Sequence, residues 1–227
     1  MKLSVIIPVY NEEKTILSIL NKVQALDIIK KEIIIVNDGS NDNTKNILEK
    51  IKNKNVKIFH HIKNQGKGAA IRTGITKTTG DIIIIQDADL EYDPTDYGKL
   101  LSPMINRGAS VVYGTRMFSL SKKDMQTMHY FGNRFLTFIT NVLYGSKISD
   151  METCYKVFKS EVIKNINLRA TGFDFEPEIT AKLLKKEYKI YEVPIKFKPR
   201  SFTEGKKITW FDGLKAVYYL IKYRFFD

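Results

Sequence analysis

Residues 81–89 read DIIIIQDAD, four isoleucines in a row that end on two aspartates one residue apart. A short β-branched run of this kind predicts a strand, with Asp87 and Asp89 where the chain leaves it. The same pattern recurs in both directions: residues 2–7 (KLSVII), 32–37 (EIIIVN), 56–60 (VKIFH) and 110–114 (SVVYG) read as further strands. Between them, 12–26, 44–52, 67–77 and 95–106 read as helices, the first capped by Asn11 and the last behind Pro94. Strands alternating with helices predict an α/β fold on a mostly parallel sheet, with crossover helices on both faces.

Beyond Gly114 the rhythm changes. Residues 124–144, 160–166, 175–186 and 209–224 read as helices, 155–159 and 189–197 as strands, and 199–207 as a polar segment. No Ser/Gly-rich linker or repeat interrupts the chain, so 1–227 is expected to form one domain, 1–116 as a nucleotide-binding half and 117–227 building on it. A chain of 227 residues with 43% hydrophobic content buries an ordinary core without staples, which excludes a disulfide scaffold and a disordered tail. Cys154 is the only cysteine, so no intrachain disulfide forms. No apolar run approaches the ~20 residues of a membrane span. The opening MKLSVIIPVYNEE lacks the layout of a signal peptide, so a cytoplasmic location is expected. The formal net charge of +12 implies an anionic partner: nucleic acid, nucleotide phosphate or an acidic lipid surface. The surplus is greatest over 196–227, where eight Lys/Arg face Glu204, Asp212 and Asp227.

In open α/β sheets ligands bind beyond the carboxyl ends of the strands. Here those ends carry Pro8-Val9-Tyr10-Asn11-Glu12, Asn37-Asp38-Gly39-Ser40 and Gln86-Asp87-Ala88-Asp89, three polar loops converging on one rim. Asp87 and Asp89, with Glu91 close behind, form a hard-oxygen set suited to Mg²⁺ or Mn²⁺ on a diphosphate; an acidic turn capping the next helix is the plainer alternative. Asp38 reads as a turn residue or as a carboxylate for a base N–H or ribose hydroxyl, and Tyr10 and Pro8 offer a ring face and a fixed backbone beside it. Gly66-Lys67-Gly68 lacks the spacing of an NTPase phosphate loop; small residues for close helix–sheet packing are expected, with Lys67 or Arg72 facing the site. His60, His61 and His129 lack metal-ligand spacing, and His60 and His61, at a strand end, read as structural. In the last helix Trp210, Leu214, Val217, Tyr218 and Ile221 recur at helical spacing beside Lys215, Lys222 and Arg224. That stripe either packs on the core or lies on an anionic membrane. Phe131, Phe135, Phe138 and Ile139 would add a second such surface.

Taken together, VIIPVYNEE (5–13), VNDGS (36–40) and QDADLEYDP (86–94) closely resemble the family-2 glycosyltransferases of GT-A fold, most strongly over 2–116. The later motifs look most like the polyprenyl-phosphate glycosyltransferases, the group of dolichyl-phosphate mannose synthase. The resemblance implies that Pro8, Tyr10, Glu12 and Asp38 hold the nucleoside, while Asp87, Ala88 and Asp89 hold the donor diphosphate and metal. Glu91, where those enzymes commonly carry Gln or a similar residue, becomes a third oxygen ligand. The resemblance assigns Arg116 to phosphate at the reaction centre, and Arg200 and Lys206 to a late basic loop over the donor diphosphate. Asp150 and Glu152 fall on the acceptor side, where this chain has Thr153-Cys154 in place of a Ser-Gly pair. Asp89, Arg116 and Asp150 are the expected catalytic residues.

The implied reaction is inverting: one in-line displacement at the anomeric carbon moves mannose or glucose from GDP-mannose or UDP-glucose to polyprenyl phosphate, with Mg²⁺ or Mn²⁺ as cofactor. A lipid phosphate is already an anion and needs no strong base, whereas a sugar hydroxyl requires a carboxylate such as Asp150 to take its proton. Two alternatives stand beside it, a soluble glycosyltransferase acting on a glycan hydroxyl and a basic nucleic-acid-binding or silent module. The acidic rim opposes a nucleic-acid partner. The expected location is cytoplasmic, peripheral on the membrane face.

Overall fold

A computed structural model describes residues 1–117, 127–200 and 210–226. Seven strands, β1 (Lys2–Val9), β2 (Lys30–Asn37), β3 (Val56–His60), β4 (Ile82–Ile85), β5 (Val111–Thr115), β6 (Lys156–Lys159) and β7 (Ile190–Pro194), form one sheet in the order β3-β2-β1-β4-β6-β5-β7. Pairing is parallel except where β6 lies between β4 and β5 and runs against both. The sheet is therefore mostly parallel, as the alternation of elements predicts. Reversal of β6 has a functional consequence: its N-terminal end shares a rim with the carboxyl ends of the other strands, so residues 150–155 reach the loops after β4 and β5.

The isoleucine run works on both faces. Ile82 and Ile84 pack with α1 (Ile16–Ala25) and α4 (Tyr97–Arg107), whereas Ile83 and Ile85 pack with α3 (Lys67–Lys77), α6 (Ser160–Lys164) and α7 (Phe175–Lys185). All four are buried, each worth about 1.5–3 kcal/mol of transfer free energy, which fixes β4 at the centre of the sheet. Gly74 allows the close approach of α3, since a Cβ there would sit 2.5 Å from the Ile6 side chain.

Several boundaries differ from the sequence expectation, two helix starts among them. The first helix starts at Ile16, because Asn11 has φ 53° and accepts at Oδ1 from Asn41 N (2.8 Å) instead of capping. Glu12 N and Glu13 N donate to Thr44 and Asp42, so the loop after β2, followed by α2 (Thr44–Glu49), takes the donors a helix would use. The helix behind Pro94 begins as a 3-10 turn, Pro94–Asp96, capped by the Asp93 carboxylate on Thr95 N (3.0 Å).

A smaller apolar cluster joins α5 (Thr127–Tyr144) to α8 (Trp210–Phe225) through Leu136, Met151, Ala216 and Leu220. Tyr144 Oη donates to Leu220 O at 2.6 Å, tying the two helices together. Among the described residues no helix is long and apolar enough to cross a membrane.

Candidate active site

The rim holds a cavity of about 330 Å³, within the range of small-molecule sites. Pro8, Tyr10, Glu12, Asp38, Asp87, Ala88, Asp89, Glu91, Arg116 and Arg200 all line it, so the structure brings these sequence-selected residues together. Lys206 lies outside the described residues. Asp150 lies behind the wall, fully buried.

At one end, Asp38 is 2% exposed and organises the loop before α3. Its Oδ1 receives His61 Nδ1 (2.6 Å) and Gln65 N (2.9 Å), and its Oδ2 receives Gly66 N (2.7 Å). Gly66 has φ +97°, and a Cβ there would strike the carbonyl of Thr171, so only glycine lets this loop meet the 170–172 segment. His61 is structural, as expected, since its Nε2 meets Thr73 Oγ1 at 2.9 Å while Nδ1 holds Asp38.

The DAD turn is built by residues that sequence reading passed over. Gln86 Oε1 accepts from Tyr97 Oη (2.9 Å) and Tyr155 Oη (2.7 Å), and Gln86 Nε2 donates to Asp87 O (3.0 Å). Leu90 has φ 65°, an uncommon conformation for a branched residue, which turns Asp89 and Glu91 to the same side; Glu91 N donates to Asp89 Oδ1 (3.1 Å). Arg200 sits on this acidic set. Its guanidinium reaches Asp89 Oδ2 (2.9 Å) and Glu12 Oε1 (3.2 Å), and its backbone N–H donates to Glu91 Oε1 (2.7 Å). Burial and the charges of Asp87 and Glu91 raise the Asp89 carboxyl to about 7, with Arg200 opposing them.

Asp87 faces the other way, toward Lys67. The ammonium lies 3.0 Å from Asp87 Oδ1, 3.1 Å from Glu176 Oε1 and 3.1 Å from Cys154 Sγ. Burial alone would push the lysine down, but the charges of Asp87 and Glu176, with the hydrogen bond to Cys154, outweigh it and hold Lys67 charged, well above its ordinary value. The same pair keeps Asp87 ionised against burial. Burial and the Asp87 charge push the Cys154 thiol up, so it stays protonated.

Among the described residues no three acidic, His or Cys side chains stand together as a ready metal cage: of the anticipated metal set, Asp87 pairs with Lys67, while Asp89 and Glu91 share Arg200. With Arg200 moved aside, Asp89 and Glu91 would fit Mg²⁺ or Mn²⁺, which are commonly held by one or two carboxylates together with substrate phosphates.

At the far end Arg116 is bound at both ends of its fork by Asp150: Nε to Oδ2 (2.8 Å) and Nη2 to Oδ1 (2.7 Å). Arg116 N (3.0 Å) and Asn133 Nδ2 (2.8 Å) complete four donors on that carboxylate. Burial favours the neutral acid, yet Arg116 dominates and keeps Asp150 below the usual carboxylate range. Both oxygens of Asp150, a residue expected from the sequence to be catalytic, are thus occupied, and its carboxylate holds Arg116. Glu192 in turn anchors this loop by accepting from Ser149 N (2.8 Å) and Asp150 N (3.1 Å). Glu152 lines the cavity next to Arg116, and its Oε1 is buried without a hydrogen-bond partner among the described residues. Burial and the Glu176 charge raise its carboxyl to about 7.

Comparison with known proteins agrees with this geometry. The family "Glycosyl transferase family 2" matches residues 4–166. The chain is 32% identical over 236 residues to UDP-N-acetylglucosamine–dolichyl-phosphate N-acetylglucosaminyltransferase of Methanococcus voltae, covering 95% of this chain and 93% of that protein. It is 30% identical over 235 residues to dolichol-phosphate mannosyltransferase of Pyrococcus furiosus, covering 98% of this chain and 64% of that one. Among solved structures, glucosyl-3-phosphoglycerate synthase of Mycobacterium tuberculosis, in complex with Mn²⁺, UDP-glucose and phosphoglyceric acid, aligns with TM-score 0.74 at 18% identity. That alignment covers 98% of this chain and 79% of the synthase, a likeness of fold. The strand-end motifs, the sheet and the family match converge: the chain belongs to glycosyl transferase family 2, a family of glycosyltransferase enzymes, and has the GT-A fold.

Proposed function

We propose that the chain transfers a hexose, mannose or glucose, from a nucleoside diphosphate sugar to polyprenyl phosphate, with inversion at the anomeric carbon. One observation carries the acceptor assignment: the cation at the far end of the cavity, Arg116, is gripped by a carboxylate with no oxygen to spare. A hydroxyl acceptor needs a base, which Asp150 does not supply in this arrangement. A phosphate acceptor arrives already ionised and needs a cation to hold it, and Arg116 is one. The names of the Methanococcus and Pyrococcus relatives support the same acceptor class.

In this reading Pro8, Tyr10, Glu12 and Asp38 receive the nucleoside, and Ala88 keeps the floor narrow between Asp87 and Asp89. Arg200, together with Lys206, meets the diphosphate. Asp89 and Glu91 hold Mg²⁺ or Mn²⁺, which when bound neutralises charge growing on the departing diphosphate. Asp87, balanced by Lys67, brings the rest of the negative charge close without entering the metal's place. The Arg116–Asp150 pair fixes the acceptor phosphate for in-line attack, Arg116 as the contact and Asp150 as its positioning residue.

The outer faces of α5 and α8 support peripheral attachment to an anionic membrane, the surface that would present such a lipid. Phe131, Phe135, Phe138 and Val142 on α5, and Leu214, Tyr218, Ile221 and Phe225 on α8, are each more than 40% exposed. Lys147, Lys215 and Arg224 are exposed near these rows and suit anionic headgroups.

The test is transfer itself. Radiolabelled GDP-mannose, UDP-glucose and UDP-N-acetylglucosamine are each incubated with protein, Mn²⁺ and polyprenyl phosphate. Organic-extractable label from one donor is expected; label that stays water-soluble with every donor, although donor binds, overturns the lipid-phosphate acceptor.

A further inference from the structure

We propose that Glu152 reads the sugar of the donor by accepting hydrogen bonds from hexose hydroxyls, a role that rests on the donor reading above. The starting observation is the orphaned Oε1, shut off from solvent in a residue that lines the cavity. A buried carboxylate oxygen without a donor is costly, and such an atom in a cavity wall is satisfied when a ligand brings O–H or N–H groups.

The neighbouring cations do not satisfy it. Arg116 is spread over Asp150, Lys67 bonds Asp87 and Glu176, and Lys156 Nζ donates to the carbonyls of Met151 (2.9 Å) and Thr153. The ligand group is therefore a neutral donor or a cation carried in from outside. An acceptor phosphate is a poor match, since at neutral pH it is mostly an anion and an ionised Glu152 repels it. Sugar hydroxyls are neutral donors, and a carboxylate takes two of them at once.

Position along the rim selects the donor's sugar. The sheet order places the loops of β2 and β1 first, the DAD turn of β4 next, and then the entry to β6, where Glu152 sits four residues before Lys156. A nucleoside diphosphate hexose laid across that rim has its nucleoside over β1 and β2 and its diphosphate at β4. Its sugar then falls beside Glu152, with Arg116 beyond it for the acceptor. The reversal of β6 is what makes this order possible, since a parallel strand there would carry residues 150–155 to the opposite edge.

Calorimetry separates this role from a structural one and from failure of the donor reading. GDP and UDP, then GDP-mannose, UDP-glucose and UDP-N-acetylglucosamine, are titrated with Mn²⁺ into the unmodified protein, Glu152→Ala and Glu152→Gln. Glu152→Ala should bind the free nucleoside diphosphate within about twofold of the unmodified protein, yet bind the matching nucleotide sugar about tenfold more weakly or worse. Glu152→Gln should fall between, because its amide carbonyl still accepts. Equal losses for diphosphate and nucleotide sugar, or no loss for either, overturn the proposal. So does intact donor binding with transfer abolished, which would make Glu152 a base toward a hydroxyl acceptor. If the unmodified protein binds the nucleoside diphosphate but gains nothing from any sugar, Glu152 has no sugar to read and the proposal fails alone. If it binds neither, the donor reading fails and takes the proposal with it.

Discussion

At the scale of single residues, the site is a set of opposite charges already paired with each other. Arg200 stands where a divalent cation would stand, its guanidinium on Asp89 and Glu12 and its backbone on Glu91. On the proposed reading, metal entry would displace it and free its head for the diphosphate. Arg200→Met is accordingly expected to bind Mn²⁺ alone about fivefold more tightly, as release from a pair worth about 1 kcal/mol implies, while binding nucleoside diphosphate more weakly. Calorimetry without nucleotide checks the first half; unchanged or weaker Mn²⁺ binding removes Arg200 as a competitor. Asp150 is the opposite case, a carboxylate with no exposure that pairs with an arginine side chain 11% exposed. Asp150→Asn strands a buried guanidinium and should cost about 3–5 kcal/mol in urea unfolding. A loss below about 1 kcal/mol would mean the pair does not hold this corner. Asp38, Asp87 and Asp89 were legible in the sequence because each follows a strand whose pattern is plain. Lys67 was legible only as a residue facing the site, and Glu176 was not legible, because it reads as an ordinary acid in the first turn of a helix. Its burial arises only when α7 brings it to Lys67, 109 positions away in sequence.

At the scale of elements, the strands of the first half were legible nearly to the residue, since a β-branched run such as 32–37 has one way to bury itself. The direction of β6 was not, because Lys156–Lys159 carries the same pattern whichever way it runs. The helix expected from residue 12 starts late for a similar reason: Asn11 and Glu12 are claimed by the loop after β2, a tertiary contact that overrides local spacing. The far edge of the sheet is locked by one buried acid that composition does not announce. Glu32 accepts from Ser4 Oγ (2.7 Å) and Thr79 N (2.6 Å) and pairs with Lys2 (2.9 Å) and Lys57 (3.0 Å), joining β1, β2, β3 and the turn before β4. Burial pushes its proton affinity up, but Lys2, Thr79, Ser4 and Lys57 together pull it below the ordinary range. The folded state thus binds this proton more weakly than the unfolded chain. Its contribution is complete above the unfolded carboxylate value of about 4.3 and fades as pH falls from there toward the lowered folded value. Glu32→Gln should therefore lose about 2 kcal/mol at pH 7 and progressively less below pH 4. Melting temperatures of the two proteins across pH 2.5–7 should converge in acid; a gap independent of pH would assign the loss to packing rather than charge.

At the scale of the whole molecule, the apolar stripe of the last helix proves to have two sides. Ala216, Leu220 and Tyr223 face inward, while Leu214, Tyr218 and Ile221, part of the stripe picked out in the sequence, face outward at 58%, 60% and 42% exposure. Val217 of that stripe is only partly buried, against the cluster that holds Leu136, Ile148 and Met151, and the Trp210 side chain lies outside what the structure describes. On α5 the same division holds, with Leu136 inward and Phe131, Phe135 and Phe138 outward at 58–63%. Spacing alone cannot separate these faces when both are apolar, because each repeats every three or four residues. The inward face of α5 carries the buried Asn133, which donates to the Asp150 that grips Arg116, so the helix that turns these aromatic rows outward also borders the Arg116 end of the cavity. On the proposed reading, that helix would link a membrane surface to the acceptor end of the site. Removing two aromatic anchors forfeits about 1.5–3 kcal/mol each if they enter the bilayer, so Phe138→Asp with Tyr218→Asp should weaken binding to vesicles containing anionic lipid by at least about 100-fold. Because both side chains are exposed in the folded chain, unfolding in urea should shift by less than about 1 kcal/mol. Co-sedimentation with phosphatidylglycerol vesicles reads the loss directly, and the pair of measurements distinguishes a lost membrane face from a damaged fold. Undiminished sedimentation by the double variant would leave these rows with no part in membrane attachment.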